Sequence, residues 1–216
     1  MGTDHTTTGS VSDVQLRDLQ AQADKATAAR RRAEQDLRER DVRLAVNRDI
    51  ARAMRDGEPP TRIIQSVVES LHTHCSHFRS AYSTVSADGL VAVEHSAGTE
   101  ETWSDATPPV LSSETLGTLA EVDLVATGAT GDGTTGAELP AALAAGDVPA
   151  VLQAPVRHAT TLAGILSLGS MTPHVWSPQE RIMLREVADC LGVALRNAEA
   201  TTRLEDSERR FRKWAE

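Results

Sequence analysis

The sequence predicts an α+β fold in which an antiparallel sheet lies between a long N-terminal helix and a long C-terminal one. Three observations predict it. A heptad pattern of apolar residues runs without a proline over residues 11–56. A capping box at Ser177-Pro178-Gln179-Glu180 opens a second long helical pattern. Between the two, short runs of strand-forming residues come in pairs around tight turns.

In the first helix, the heptad a series is Leu16, Ala23, Arg30, Leu37, Leu44 and Ala51, and the d series is Leu19, Ala26, Ala33, Arg40, Asn47 and Met54. Such a seam needs a partner, because a single long helix has no core of its own. Gly57 and Pro59-Pro60 end it. Residues 1–10 are expected to be disordered, 11–41 to form a coiled coil, and 42–200 to form the folded body. Pro60–His74 is a shorter amphipathic helix carrying Ile63, Ile64, Val67, Val68 and Leu71. Phe78–Val85 and Leu90–Ser96 form a hairpin around Ala87-Asp88-Gly89. Residues 97–119 are expected to be irregular, 121–126 a short strand, 127–136 a Gly/Thr loop and 138–145 a short helix. Val151–His158 and Leu162–Met171 form a second hairpin. In the last helix, Met183, Leu184, Val187, Leu191, Ala194, Leu195 and Ala198 recur at helical spacing, and the pattern continues through Leu204 and Phe211 to Trp214. Residues 201–216 are therefore expected to lead helically into a further domain.

Composition excludes several classes. Six aromatics in 216 residues leave burial to Leu, Val, Ile and Ala, and two cysteines are too few for a disulfide framework or a four-cysteine zinc site. No apolar run approaches the ~18 residues of a membrane span, and MGTDHTTTGS has no signal-peptide pattern; the chain is expected to be soluble and cytoplasmic. The formal net charge is −9. Between Arg79 and Arg157 lie 77 residues without a Lys or Arg but with eleven Asp or Glu, a stretch that repels phosphates and argues against nucleic acid as a partner. The same imbalance fits a plain solubility trait, since only two lysines accompany twenty arginines.

Residues 152–200 resemble the C-terminal half of a GAF domain. The carriers are Pro155-Val156-Arg157, Gly164-Ile165-Leu166-Ser167-Leu168, Pro173, Trp176 and the Ser177–Glu180 capping box. Phe78–Ser83 and Ala87–Leu90 resemble the family's first hairpin, so the likeness covers about 42–200. Ser207–Arg212 resembles the opening of a PAS domain. The resemblance implies that one sheet face packs on the terminal helices, which dimerise, and that the other forms a small-molecule pocket. It also implies a downstream output domain, such as a histidine kinase, cyclase or phosphatase. Dimer contacts are expected at Leu16, Leu19, Leu37, Leu44, Leu191, Ala198, Leu204 and Phe211. Tyr82, Glu94, His95, Asp123 and Arg157 are candidates to line the pocket, with Trp103 as a lid. Tyr82 and Trp103 as core fillers is the equal alternative, because strand parity decides and a one-residue slip reverses it.

The sequence leaves the cofactor unknown. His72, His74, Cys75 and His77 form the single metal-like cluster, but at most two share a helix face, and histidines suit a helix C-terminus. Bilin-binding members attach their chromophore to a pocket cysteine, commonly followed by His. Cys75 precedes Ser76 and the first strand, and Cys190 lies on the last helix. The cyclic-nucleotide pattern of the family is absent, the 128–136 loop lacks a P-loop ending, and no residue set has catalytic spacing. A neutral or cationic, largely apolar ligand is expected from the missing basic side chains. A ligand-free scaffold and an enzyme using the pocket are the other readings.

Overall fold

The computed structural model describes residues 8–98, 110–121, 123–127, 148–158 and 161–215. The chain divides into two units, Met1–Arg40 and Asp41–Glu216. Helix α1 runs Thr8–Arg55, so Thr8–Ser10, expected to be disordered, are helical. In the first unit its outer faces carry i,i+4 pairs such as Arg30–Glu34 at 2.7 Å, and Leu16, Leu19 and Leu37 are exposed.

The second unit is the α+β body. Pro60 starts α2 (Pro60–His74), where its fixed φ suits the first turn and its missing N–H costs nothing. Strands β1 (Arg79–Val85), β2 (Val91–Ala97), β3 (Val125–Thr127), β4 (Ala150–His158) and β5 (Thr161–Ser170) form one antiparallel sheet in the order β2-β1-β5-β4-β3. Helix α3 covers Ser113–Glu121, and α4 covers Pro178–Ala215.

Two expectations change here. The irregular stretch assigned to 97–119 contains α3, and the strand assigned to 121–126 is the end of that helix followed by β3, Val125–Thr127. Leu116 and Leu119 pack inward at i,i+3 spacing; Gly117 between them and the helix's short length hide the pattern in the sequence. The expected 138–145 helix, most of the 127–136 loop and Trp103 lie outside the described residues.

The two sheet faces differ in what they bury. On one, Tyr82, Ala150, Leu152, Ala154, Val156, Leu166 and Leu168 pack with α2 and with Leu184, Val187, Leu191 and Ala194 of α4. The C-terminal part of α1 joins this core through Val46, Ile50 and Ala53, with Val42 and Met54 beside them. Met54 apart, that stripe lies outside the heptad seam, whose Leu44 stays 63% exposed. Ser70 of α2 donates to Asp49 at 2.7 Å, and Arg43 pairs with Glu186 at 2.8 Å, fixing α1 to both neighbours. The capping box forms as the sequence requires: the Ser177 N–H donates to Glu180 Oε2 at 2.7 Å, and the Glu180 N–H donates to Ser177 Oγ at 3.1 Å.

Two glycines permit close layers. A Cβ on Gly164 would collide with the Tyr82 ring and the Ser83 carbonyl, and one on Gly192 of α4 would collide with the Arg157 carbonyl of β4. Among the described residues, no helix is long and apolar enough to cross a membrane.

Candidate functional site

Strand alternation assigns the side chains of the opposite face. Ser80 donates to the Val68 carbonyl of α2 at 2.8 Å, so the even positions of β1 face the helices. Arg79, Ala81 and Ser83 then face the other way. Register extends this into rows across the sheet. Arg79 stands beside Gly169 and Val151; Ser96, Ala81, Ser167, Gln153 and Val125 form the next row; Val93, Ser83, Ile165 and Pro155 form the third.

The composition of these rows separates them from the helix-side core. Ser83, Gln153 and Ser167 are buried polar residues in the middle of a sheet. Gln153 Nε2 lies 3.5 Å from Ser167 Oγ. The far end is closed by an apolar cluster of Val91, Leu111, Leu119, Val125 and Ile165 under α3. Small side chains and hydroxyls beside an apolar wall give hydrogen-bonding capacity at the floor and an unreactive flank. Such a face can hold and orient an organic molecule.

At the α3 end, Arg157 reaches Asp123 at 3.5 Å, and its other Nη lies 3.5 Å from the Leu119 carbonyl. It thus ties β4 to the end of α3. Because Gly192 of α4 lies against the backbone carbonyl of the same residue, Arg157 touches the helix layer on one side and α3 on the other.

The chain matches no protein-family model and no curated protein. Solved structures do match it. The phycoerythrobilin-bound GAF domain from a cyanobacterial phytochrome aligns with a TM-score of 0.60 at 15% identity, over 74% of this chain and 96% of that one. The phycocyanobilin-bound GAF domain from a cyanobacterial phytochrome gives 0.61 at 15% identity, over 74% and 96%. The blue-light absorbing form of the Thermosynechococcus elongatus PixJ GAF domain gives 0.55 at 16% identity, over 68% and 91%.

The fold is that of a GAF domain.

Within this GAF fold, the six residues singled out as pocket candidates separate. Arg157 and Asp123 come together. Glu94 and His95 lie 4.0 Å apart on β2, the opposite edge strand, with β1 and β5 between them and β4. His95 is the register partner of Tyr82. Tyr82 belongs to the helix-side core, where its hydroxyl donates to the Ala163 carbonyl at 3.3 Å. Burial, then the negative charges of Glu94 and Glu199, push its phenol well above the ordinary tyrosine range. Trp103 is outside the described residues.

Among the dimer candidates, Leu191 is fully buried in the chain's own core and Ala198 packs at its edge. Leu204 and Phe211 are exposed.

The histidine cluster disperses into structural contacts. His72 Nδ1 lies 3.2 Å from the Phe78 carbonyl, and the His77 ring contacts that of Phe78 at a tilt, with centroids 3.9 Å apart. Among the described residues, no group of three or more His, Cys, Asp or Glu is placed to hold a metal ion. Cys75 is buried in the helix-side core, and Cys190 packs against it from α4, so both thiols lie behind the sheet from the polar face. Burial, with Asp189 and Glu186, raises the Cys190 thiol.

Sequence reasoning missed Ser83, Gln153, Ser167 and Arg79. Alternation alone does not single them out, because β1 places Ser80 and Thr84 on the same side as Tyr82 and β4 places Val151 and Pro155 on the same side as Gln153.

Proposed function

We propose that this chain is a non-catalytic sensory module of a bacterial or archaeal signal-transduction protein, binding a small organic molecule on the polar sheet face. The single observation that carries the reading is the buried Ser83–Gln153–Ser167 floor on a GAF fold. Hydroxyls and an amide beside the apolar cluster under α3 are the mixture of groups from which small-molecule sites are built. The solved neighbours with bound bilins support a ligand on this fold. Covalent attachment is disfavoured here, because both cysteines stand behind the sheet.

In this proposal residues 42–200 sense, 11–41 and 201–216 form coiled-coil segments of a cytoplasmic homodimer, and an output domain such as a histidine kinase, cyclase or phosphatase follows. The support for dimerisation is the row of exposed apolar side chains at Leu16, Leu19, Leu37, Leu44, Leu204 and Phe211, with Trp214 at 91% exposure. A ligand that binds two arrangements of these helices unequally shifts their balance.

The test is release. Purified protein is heat-denatured and the supernatant is analysed by chromatography and mass spectrometry, beside a Ser167→Trp variant that fills the floor. The expected result is a small molecule from the wild type and none from the variant. Empty supernatants from both would favour the scaffold reading, and turnover of an added compound would favour an enzyme.

A further inference from the structure

Helix α4 carries two apolar stripes on opposite sides. One, with Leu184, Val187, Leu191, Ala194, Leu195 and Ala198, packs into the chain's own core. At about 3.6 residues per turn, the other lies half a turn away and keeps heptad spacing past the end of the body. Its a positions are Asn197, Leu204 and Phe211, and its d positions are Val193, Ala200, Ser207 and Trp214. Val193 is 43% exposed, Leu204 62%, Phe211 74% and Trp214 91%.

The charges flanking this outer stripe select what covers it. The g positions are Arg196, Arg203 and Arg210, and the e positions include Thr201 and Glu208. In a parallel pair of helices each g position meets the e position five residues further along the other helix. A parallel second copy therefore sets Arg203 opposite Glu208 of the partner subunit, and two-fold symmetry makes the contact twice. An antiparallel copy sets g against g, arginine row against arginine row, which is repulsive. Asn197 at an a position is the kind of polar residue that holds two strands in one register. Glu205, Asp206 and Glu208 are interleaved with the arginines, which opposes an anionic lipid surface as the occupant.

We infer that the outer stripe of α4 docks on the same stripe of a second copy, parallel and in register, with Arg203 paired to Glu208 of the partner subunit. This rests on the homodimer reading above and deepens it by giving the pair a helix, a direction and a register. Within one chain Arg203 lies 3.5 Å from Glu199, and Arg212 lies 3.9 Å from Glu208. Both are exposed pairs of little worth, so they exchange readily for the contact between subunits. One helix then packs on the sheet and on the partner from opposite sides.

The experiment measures dimer dissociation of the full chain by analytical ultracentrifugation at low salt. Arg203→Glu and Glu208→Arg are each expected to weaken the dimer about ten-fold, because two attractions become two repulsions. The double variant Arg203→Glu, Glu208→Arg is expected to recover the wild-type affinity. Direction is read by disulfide trapping with copper phenanthroline as the oxidant. Ser207→Cys is expected to trap with itself, beyond the level of the wild type. An antiparallel pair centred on the stripe would instead set position 207 against position 200. Trapping seen only when Ser207→Cys is mixed with Ala200→Cys would therefore overturn the parallel register, as would no trapping of Ser207→Cys at all. A dimer indifferent to both charge reversals, or not recovered by the double variant, would overturn the α4 pairing and leave the homodimer reading standing. Wild type sedimenting as single chains at every concentration would overturn both.

Discussion

Tyr82 is the one tyrosine in the chain, which makes its environment directly measurable. Its phenol is buried on the helix side, its hydroxyl donates to the Ala163 carbonyl, and Glu94 and Glu199 oppose its ionisation. An unfolded tyrosine ionises near pH 10. Because the folded value is raised, Tyr82 contributes stability that is complete below about pH 10 and is lost as pH climbs further. Absorbance at 295 nm is therefore expected to show no phenolate at pH 10.5 in native protein, and more than half ionisation in urea. A native titration centred near 10 would place Tyr82 in solvent.

At the scale of elements, the capping box of α4 joins local chemistry to the signalling helix. Glu180 is buried and serves twice, accepting the Ser177 N–H and lying 3.1 Å from His174 Nε2. Phe78 and Trp176 meet His174 edge-to-face, with centroids 5.1 and 4.7 Å away. Ser177→Ala removes the acceptor for the Glu180 N–H and is expected to cost about 1 kcal/mol, lowering the melting temperature by roughly 2–4 °C; Ser177→Asp should restore it. An unchanged melt for Ser177→Ala would detach this cap from stability. The capping box was legible because its four residues are contiguous and their hydrogen bonds local. The paired strands were legible for the same reason, since tight turns set their register. Helix α3 was not, because nine residues with Gly117 among them give too few turns to display a period. The face of each strand was not legible either. Parity places Tyr82 and Ser83 on opposite sides, and only the Ser80–Val68 contact, twelve positions apart, decides which side meets the helices. In α1 the heptad seam was readable, but it masked a second stripe at Val42, Val46, Ile50 and Ala53, offset from it and facing the chain's own core.

At the scale of the whole molecule, two surfaces of the chain support the sensory proposal. One is the polar sheet face, with Ser83, Gln153 and Ser167. The other is the set of exposed apolar residues on α1 and α4, where burial of each leucine is worth about 1.5–3 kcal/mol. Arg157 offers a physical link between them, touching α3 through Leu119 and Asp123 and meeting α4 at Gly192. Both surfaces are read at once by native mass spectrometry of the purified wild type beside the double variant Leu37→Asp, Leu44→Asp, which places charges in the seam. The expected wild-type species is two chains, each carrying the mass of one small molecule that is lost on denaturation. The double variant is expected as single chains that keep that added mass. Wild type recovered as bare single chains, with nothing to lose on denaturation, would contradict the account.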